Sequence, residues 1–163
     1  MMTLYLDMDG VLCDFDSHWV SLFGRTPLQS RDNKEFSDDW KSFIWNHQFE
    51  KLPWHPNGKE LLEFVRSIPN LHIEMLTSSG GQKFHTSVRE QKIVWLTKNG
   101  INYVPNVVPG RRLKSSYANA NTILIDDTLD VIEAFNNAGG TGIHHTNIED
   151  TKRQLLDAVA IVS

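Results

Sequence analysis

The sequence predicts an α/β fold: a parallel sheet with helices on both faces and a small helical cap inserted after the first strand. Three observations lead to this prediction. Short apolar segments of strand length alternate along the chain with longer amphipathic segments of helix length. The segments between strands are long enough for helical crossovers, which join parallel strands. The segment after the first strand is far longer than one crossover requires.

Five segments are predicted strands. The clearest is NTILIDD, an apolar run that ends abruptly in two acids, and YVPNVVP is weaker because Pro105 interrupts it. In chain order the segments are TLYLDM, LHIEMLT, YVPNVVP, NTILIDD and TGIHHT.

Helical patterns separate these strands. KFHTSVREQKIVWLTKNG ends at Gly100, and TLDVIEAFNNAGG ends at Gly139 and Gly140, which are typical positions for a C-terminal cap. EDTKRQLLDAVAIV is predicted to form a last amphipathic helix. The alternation therefore indicates a Rossmann-like core, whose functional crevice lies beyond the carboxyl ends of the strands.

The segment 16–69 does not follow this alternation. Two or three helices are predicted there, and the segment contains four of the five tryptophans, namely Trp19, Trp40, Trp45 and Trp54. Large aromatic side chains would give a small subdomain its core, or they would form an aromatic lid over the crevice. We predict a core domain formed by 1–15 and 70–163 and a small helical cap formed by 16–69.

Composition is that of one ordinary globular domain of 163 residues, with 40% hydrophobic and 22% charged residues. The net charge of -4 and the lack of a basic run argue against binding of duplex nucleic acid. Cys13 is the single cysteine, which excludes an internal disulfide, fits a reducing compartment and indicates a packing role. With no apolar run of membrane-spanning length and no signal-like start, we expect a cytoplasmic protein without membrane contact. The oligomeric state stays open, a homodimer included.

Acidic residues follow two predicted strands. Asp7 and Asp9 end the first, and Asp126 and Asp127 end the strand NTILIDD. Because the carboxyl ends of parallel strands meet at one edge, these four carboxylates should lie together. Their mutual repulsion requires a cation, and Mg²⁺ prefers such oxygen ligands.

Groups suited to phosphate are predicted at the same edge. Thr77 ends LHIEMLT, Ser78 follows it, and Gly80 and Gly81 come shortly after, so hydroxyls and backbone N–H groups are available to phosphate oxygens. Lys92 and Lys114 are candidates for the positive charge that a bound phosphate needs. Alone, an Asp-x-Asp-Gly motif or an Asp-Asp pair is often a turn or a helix cap, but together and in this order they predict a site for metal and phosphate.

These motifs resemble those of the haloacid dehalogenase superfamily of aspartyl-phosphate hydrolases. DMDGV matches its first motif, Thr77 its second, a lysine its third and the pair Asp126–Asp127 its fourth. Further sequence segments are similar to those of the 5'(3')-deoxyribonucleotidase family: DMDGVLCDF to its DMDGVLADF, KIVWL to its KYAWV and LIDDTLD to its LIDDRPD. The resemblance runs over most of the chain.

The resemblance implies a Mg²⁺-dependent phosphomonoesterase. Asp7 would be the nucleophile, and Asp9 the general acid and base, with its backbone carbonyl on Mg²⁺. Asp7 and Asp127 would also bind the ion, and Asp126 would orient these ligands. For the phosphate, Lys114 matches the family position by its spacing from Asp127, while Lys92 matches a second lysine one helix earlier.

The substrate implied is a small phosphorylated compound, most simply a deoxyribonucleoside monophosphate. Phe15 and Trp45 align with aromatic residues that the family uses against the base. A phosphatase for sugar phosphates or other small metabolites is the main alternative. A polynucleotide-end phosphatase fits the negative charge and the cap less well, and a response-regulator receiver lacks both the first motif and a cap.

Overall fold

The computed structural model describes residues 1–32 and 34–161. Within these residues there are five strands, as predicted, and seven α-helices, four of which lie between the first two strands. The strands are β1 (Met2–Leu6), β2 (Leu71–Ser78), β3 (Pro105–Val108), β4 (Thr122–Asp126) and β5 (Thr141–His144). The helices are α1 (Phe15–Phe23), α2 (Pro27–Asp32), α3 (Phe36–Trp45), α4 (Gly58–Ser67), α5 (His85–Lys98), α6 (Leu129–Asn137) and α7 (Ile148–Ala160). Two 3-10 helices are added, Gln48–Lys51 and Arg111–Tyr117.

The five strands form one parallel sheet in the order β3-β2-β1-β4-β5. Leu4 at the centre pairs with Ile73 of β2 on one side and with Ile123 of β4 on the other. All five residues of β4 are buried, as expected for a strand that is covered on both faces. This arrangement confirms the predicted fold class.

Each face of the sheet has its own apolar layer. On one face, Leu76 and Leu124 pack with Val131, Ile132 and Phe135 of α6. A larger cluster covers the other face and continues into the inserted segment; it includes Leu4, Ile73, Ile123, Trp95 of α5 and Leu155 of α7. The helices therefore lie on both faces.

The inserted segment contains more helices than the two or three predicted. The helices α1 to α4 and the 3-10 helix Gln48–Lys51 all lie there, because short helices interrupted at turns give little periodicity to recognise. Its last helix, α4, packs beside α7, where Lys152 Nζ lies 2.7 Å from Glu60 Oε2 and near the ring of Phe64. The division into a core domain and a 16–69 cap stays a prediction.

The remaining predicted elements agree closely with the structure. β3 begins at Pro105 on the edge of the sheet, where a missing N–H is tolerated. The predicted last helix corresponds to α7, and its predicted terminal residue, Val162, lies outside the described residues. Across the described parts of the chain, no helix combines the length and the apolar character needed to cross a bilayer.

Candidate active site

Three carboxylates meet at the carboxyl edge of the sheet. Asp7 follows β1, Asp126 is the last residue of β4, and Asp127 comes next. Each offers an oxygen, and these oxygens lie within 4.8 Å of one another. The parallel pairing of β1 with β4 places these carboxylates together. The Asp7 N–H extends the pairing by one hydrogen bond, which it donates to the Ile125 carbonyl at 3.0 Å. Three of the four carboxylates predicted to lie together thus form one cluster at the predicted edge, whereas the fourth, Asp9, bonds to Lys92 beside it.

Lys114 neutralises part of this cluster. Its buried Nζ lies 3.0 Å from Asp7 Oδ1 and 2.6 Å from Asp126 Oδ2. Burial opposes the charge of the ammonium, but the two carboxylates outweigh that effect and raise the pKa of Lys114, so it remains a cation. Burial, together with the charge of Asp126, raises the pKa of Asp7 in spite of the nearby lysines.

The acids carry more negative charge than this lysine offsets. Burial in the cleft and the charges of Asp7, Asp126 and Asp9 raise the pKa of Asp127 to about 8. A divalent cation among these oxygens would remove the repulsion, and an all-oxygen donor set suits Mg²⁺. Gly10, with φ of 81°, passes so close that a Cβ would collide with the Asp127 carboxylate. The residues present therefore fit a magnesium ion held by carboxylates against a backbone turn.

Lys92 forms a second positive centre beside the first. It projects from α5, its side chain is 1% exposed, and the ring of Phe49 lies 5.3 Å from its Nζ. The ammonium donates to Thr77 Oγ1 at 2.6 Å, to the Ser78 carbonyl at 2.8 Å and to Asp9 Oδ2 at 3.0 Å. Lys92 therefore joins the end of β2 to the residue two positions after Asp7.

The segment after β2 turns sharply at the site. Thr77 is buried, and Ser78 Oγ accepts a bond from the Gly80 N–H at 3.1 Å. Gly80 has φ of 83°, and Trp40 lies against it so closely that a Cβ would come 2.9 Å from the indole. Trp40 of the inserted segment therefore contacts the turn after β2 at Gly80.

A cleft of about 720 Å³ opens above these groups. Among the predicted site residues, seven line it directly: Asp7, Asp9, Phe15, Thr77, Ser78, Lys114 and Asp127. Asp126 and Lys92 lie immediately behind its wall, where they bond to Lys114 and to Asp9. The structure thus brings together every predicted metal and phosphate residue.

The two predicted aromatic residues differ. Phe15 lines the cleft and packs in a cluster of rings, with centroids 5.3 Å from Phe43 and 5.8 Å from Phe49. Trp45 is not brought to the site, because the residue is 78% exposed and does not line the cleft. Trp40 lines the cleft instead. At 100° per residue, five positions along α3 turn a side chain by about 140°, so the two tryptophans face different directions.

Sequence reasoning did not assign several further residues that line the cleft. Arg31 comes from α2, His55 from the turn before α4, and His145 follows β5. His145 is buried, with Nδ1 2.7 Å from Thr151 Oγ1, so it also connects the end of β5 to α7. None of the three carries a local motif, so only their position along the cleft identifies them.

Cys13 is fully buried, and burial raises the pKa of its thiol well above the ordinary value. A buried, protonated thiol is a poor nucleophile. The packing role predicted for Cys13 agrees with this environment.

Comparison with known proteins defines the fold. No protein-family model matches the chain, and no curated protein matches its sequence. Among solved structures, a haloacid dehalogenase-like family hydrolase from Streptococcus pneumoniae is 12% identical, with a TM-score of 0.54, over 100% of this chain and 99% of that one. A hydrolase from Streptococcus pneumoniae TIGR4 is 18% identical, with a TM-score of 0.52, over 96% of this chain and 98% of that one. The chain therefore has the haloacid dehalogenase-like fold along nearly its whole length.

Proposed function

We propose that this protein is a Mg²⁺-dependent phosphomonoesterase of the haloacid dehalogenase superfamily that acts through an aspartyl-phosphate. The observation that carries the proposal is the position of Asp7: it is buried beside Lys114, within a cluster of acids suited to a divalent cation, at the floor of an open cleft. Such a carboxylate can attack an anionic phosphate only where positive charge surrounds both groups.

Asp7 is the nucleophile in this proposal. Its Oδ1 accepts from the Met8 N–H at 2.8 Å and contacts Lys114 at 3.0 Å, so Oδ2 is the candidate attacking atom. Oδ2 forms a bond to phosphorus as the bond from phosphorus to the leaving oxygen breaks. Asp9 gives its proton to that oxygen, which leaves as an alcohol.

Hydrolysis of the aspartyl-phosphate completes the cycle. Asp9, now a carboxylate, takes a proton from a water molecule as the water oxygen attacks phosphorus. The bond between phosphorus and Asp7 breaks, phosphate is released, and Asp9 is protonated again. At the end of the cycle Asp7 is again a free carboxylate and Asp9 is again protonated, as both were at the start.

The charged groups around Asp7 have distinct roles. Asp7 and Asp127 would hold Mg²⁺ together with the Asp9 carbonyl, while Asp126 would orient Asp7 through Lys114. The bound ion supplies positive charge to the phosphate oxygens. Thr77, Ser78 and Lys114 line the cleft, and in this proposal their hydroxyls and ammonium bind the phosphate.

The substrate we propose is a small phosphomonoester, and specifically a deoxyribonucleoside monophosphate, as for a 5'(3')-deoxyribonucleotidase. A cleft of about 720 Å³ has room for a nucleotide, and Phe15 and Trp40 give it aromatic surfaces for a base. Hydrolysis of sugar phosphates is the alternative, supported by the polar and charged residues that line much of the same cleft.

A substrate screen tests this function. Purified protein is assayed with Mg²⁺ against nucleoside monophosphates and sugar phosphates, with EDTA and with Asp7→Asn as controls. We expect phosphate release that both controls abolish, with nucleotides preferred. Turnover that survives EDTA would contradict the metal-dependent mechanism, whereas equal rates on sugar phosphates would contradict only the nucleotidase assignment.

A further inference from the structure

The two buried lysines of the site differ in how many of their N–H donors are occupied. A lysine ammonium has three such donors and no acceptor. Lys92 uses all three, on Asp9 Oδ2, Thr77 Oγ1 and the Ser78 carbonyl, at 2.6 to 3.0 Å. A phosphate oxygen could bind it only by displacing one of these acceptors.

Lys114 has a different set of contacts. Two carboxylates, Asp7 and Asp126, take two of its donors, at 3.0 and 2.6 Å. Lys114 also lines the cleft, whereas Lys92 does not line it and lies behind the residues to which it bonds. One donor of Lys114 is therefore available on the side from which a phosphate would enter.

The bonds of Lys92 also orient its partners. Thr77 Oγ1 accepts from Lys92, so the hydrogen of its own hydroxyl is left to be donated elsewhere. Asp9 is held by Oδ2, while Asp9 Oδ1 is buried and has no hydrogen-bond partner among the described residues. A buried carboxylate oxygen without a partner is costly, so the bond from Lys92 to Oδ2 is the contact that holds this carboxyl group in place.

We infer that Lys92 is a positioning residue for the general acid rather than a phosphate ligand. By binding Asp9 Oδ2, Lys92 fixes the carboxyl group of the general acid beside the cleft, and by bonding Thr77 Oγ1 it leaves the threonine hydrogen to be donated to the phosphate. Lys114 alone of the two lysines then contacts the phosphate. This inference rests on the proposed function, because it assigns the roles of two lysines within the same site.

Matched substitutions of the two lysines test the inference. Lys92→Met and Lys114→Met are compared with the wild-type protein, first in calorimetric binding of inorganic phosphate in the presence of Mg²⁺. Phosphate has no leaving group, so we expect the Kd to change less than about threefold in Lys92→Met and to rise about tenfold or more in Lys114→Met.

Leaving-group dependence is the second measurement. General acid catalysis contributes about 10²- to 10⁴-fold, and it matters least when the leaving group is already a stable anion. We expect Lys92→Met to lower kcat for an alkyl phosphate at least about tenfold more than for p-nitrophenyl phosphate. In an Asp9→Asn background the same substitution should produce no further difference between the two substrates, because the acid it positions is gone.

The outcomes separate this inference from the proposed function. A wild-type protein without phosphomonoesterase activity would refute the proposed function itself. If wild type is active but Lys92→Met weakens phosphate binding as much as Lys114→Met does, or slows both substrates equally, Lys92 is a phosphate ligand and the inference is overturned. Should Lys92→Met not fold, Lys92→Arg retains the buried charge, and the same two measurements on that variant decide the question.

Discussion

The charged edge of the sheet and the aromatic cluster of the inserted segment are both largely buried, yet each is stabilised by a different kind of interaction. At the edge, Asp7, Asp126 and Lys114 are fixed by bonds of 2.6 to 3.0 Å, and each charge depends on a particular partner. In the cluster, rings such as those of Trp19 and Phe43 meet at 5.4 Å without a directional bond. Burying the charges of the edge costs free energy and requires particular partners, whereas burying the rings of the cluster is favourable and non-directional.

This difference separates chemistry from stability within a single continuous core. Substitutions at the edge should remove activity with little loss of fold, because the clustered acids oppose folding rather than drive it. Substitutions in the cluster should do the reverse. Phe15 and Trp40 lie where the two regions meet, since both line the cleft and pack with the other rings.

The largest effect is expected for Asp7→Asn. Loss of the proposed nucleophile should lower kcat by about 10⁴-fold or more. The pKa of Asp7 is raised by burial and by Asp126, so a neutral amide should leave the free energy of unfolding unchanged or higher. Parallel kinetic and thermal unfolding measurements check both parts, and a large fall in Tm would show that the edge also holds the fold.

Trp19→Ala should give the next largest effect, on stability alone. Trp19 is fully buried among Phe15, Phe23, Phe36, Trp40 and Phe43, and its indole N–H donates to Ser30 Oγ at 3.1 Å. We expect the free energy of unfolding to fall by about 3–5 kcal/mol. Denaturant titration measures the loss. A change below about 1 kcal/mol would mean that the cluster is less tightly packed than a protein core.

Magnesium should stabilise the folded protein through the acids of the edge. Saturation to about 100 times the Kd contributes about 2.7 kcal/mol to the free energy of unfolding. We expect Tm to rise with Mg²⁺ in the wild-type protein and to rise much less in Asp127→Asn. The exposed Asp157 of α7 provides the control, because Asp157→Asn should keep the full increase. An equal response in all three proteins would exclude the edge as the metal site.

The smallest effect compares two tryptophans of one helix. Trp40 lines the cleft and Trp45 is exposed, so Trp40→Ala should raise KM for a nucleotide while Trp45→Ala leaves it unchanged. Stacking on a base is worth about 1–3 kcal/mol, or roughly ten- to a hundredfold in affinity. KM for a small aryl phosphate serves as the internal reference. Equal KM values for the wild type, Trp40→Ala and Trp45→Ala would mean that Trp40 does not bind the base and contributes only to the stability of the cluster.

Sequence alone predicted the edge better than the cluster, and the reason is physical. Asp7, Asp126 and Thr77 are located by strand ends, and parallel pairing brings strand ends together whatever the remaining contacts are. The choice between Trp40 and Trp45 depends on which side of α3 is buried, and this is decided by rings distant in sequence, such as Phe49. The contrast between Lys92 and Lys114 depends on three-dimensional donor geometry, which no local pattern contains.

The contact between Trp40 and Gly80 sets how closely the two regions approach each other. Gly80 follows the turn that bears Ser78, and the indole of Trp40 lies directly on it. A Cβ at position 80 would come 2.9 Å from the indole, and a φ of 83° disfavours any residue that has a side chain. A larger residue there would have to move either α3 or the turn after β2. The absence of a single side chain at position 80 thus fixes the spacing between the aromatic rings and the charged edge.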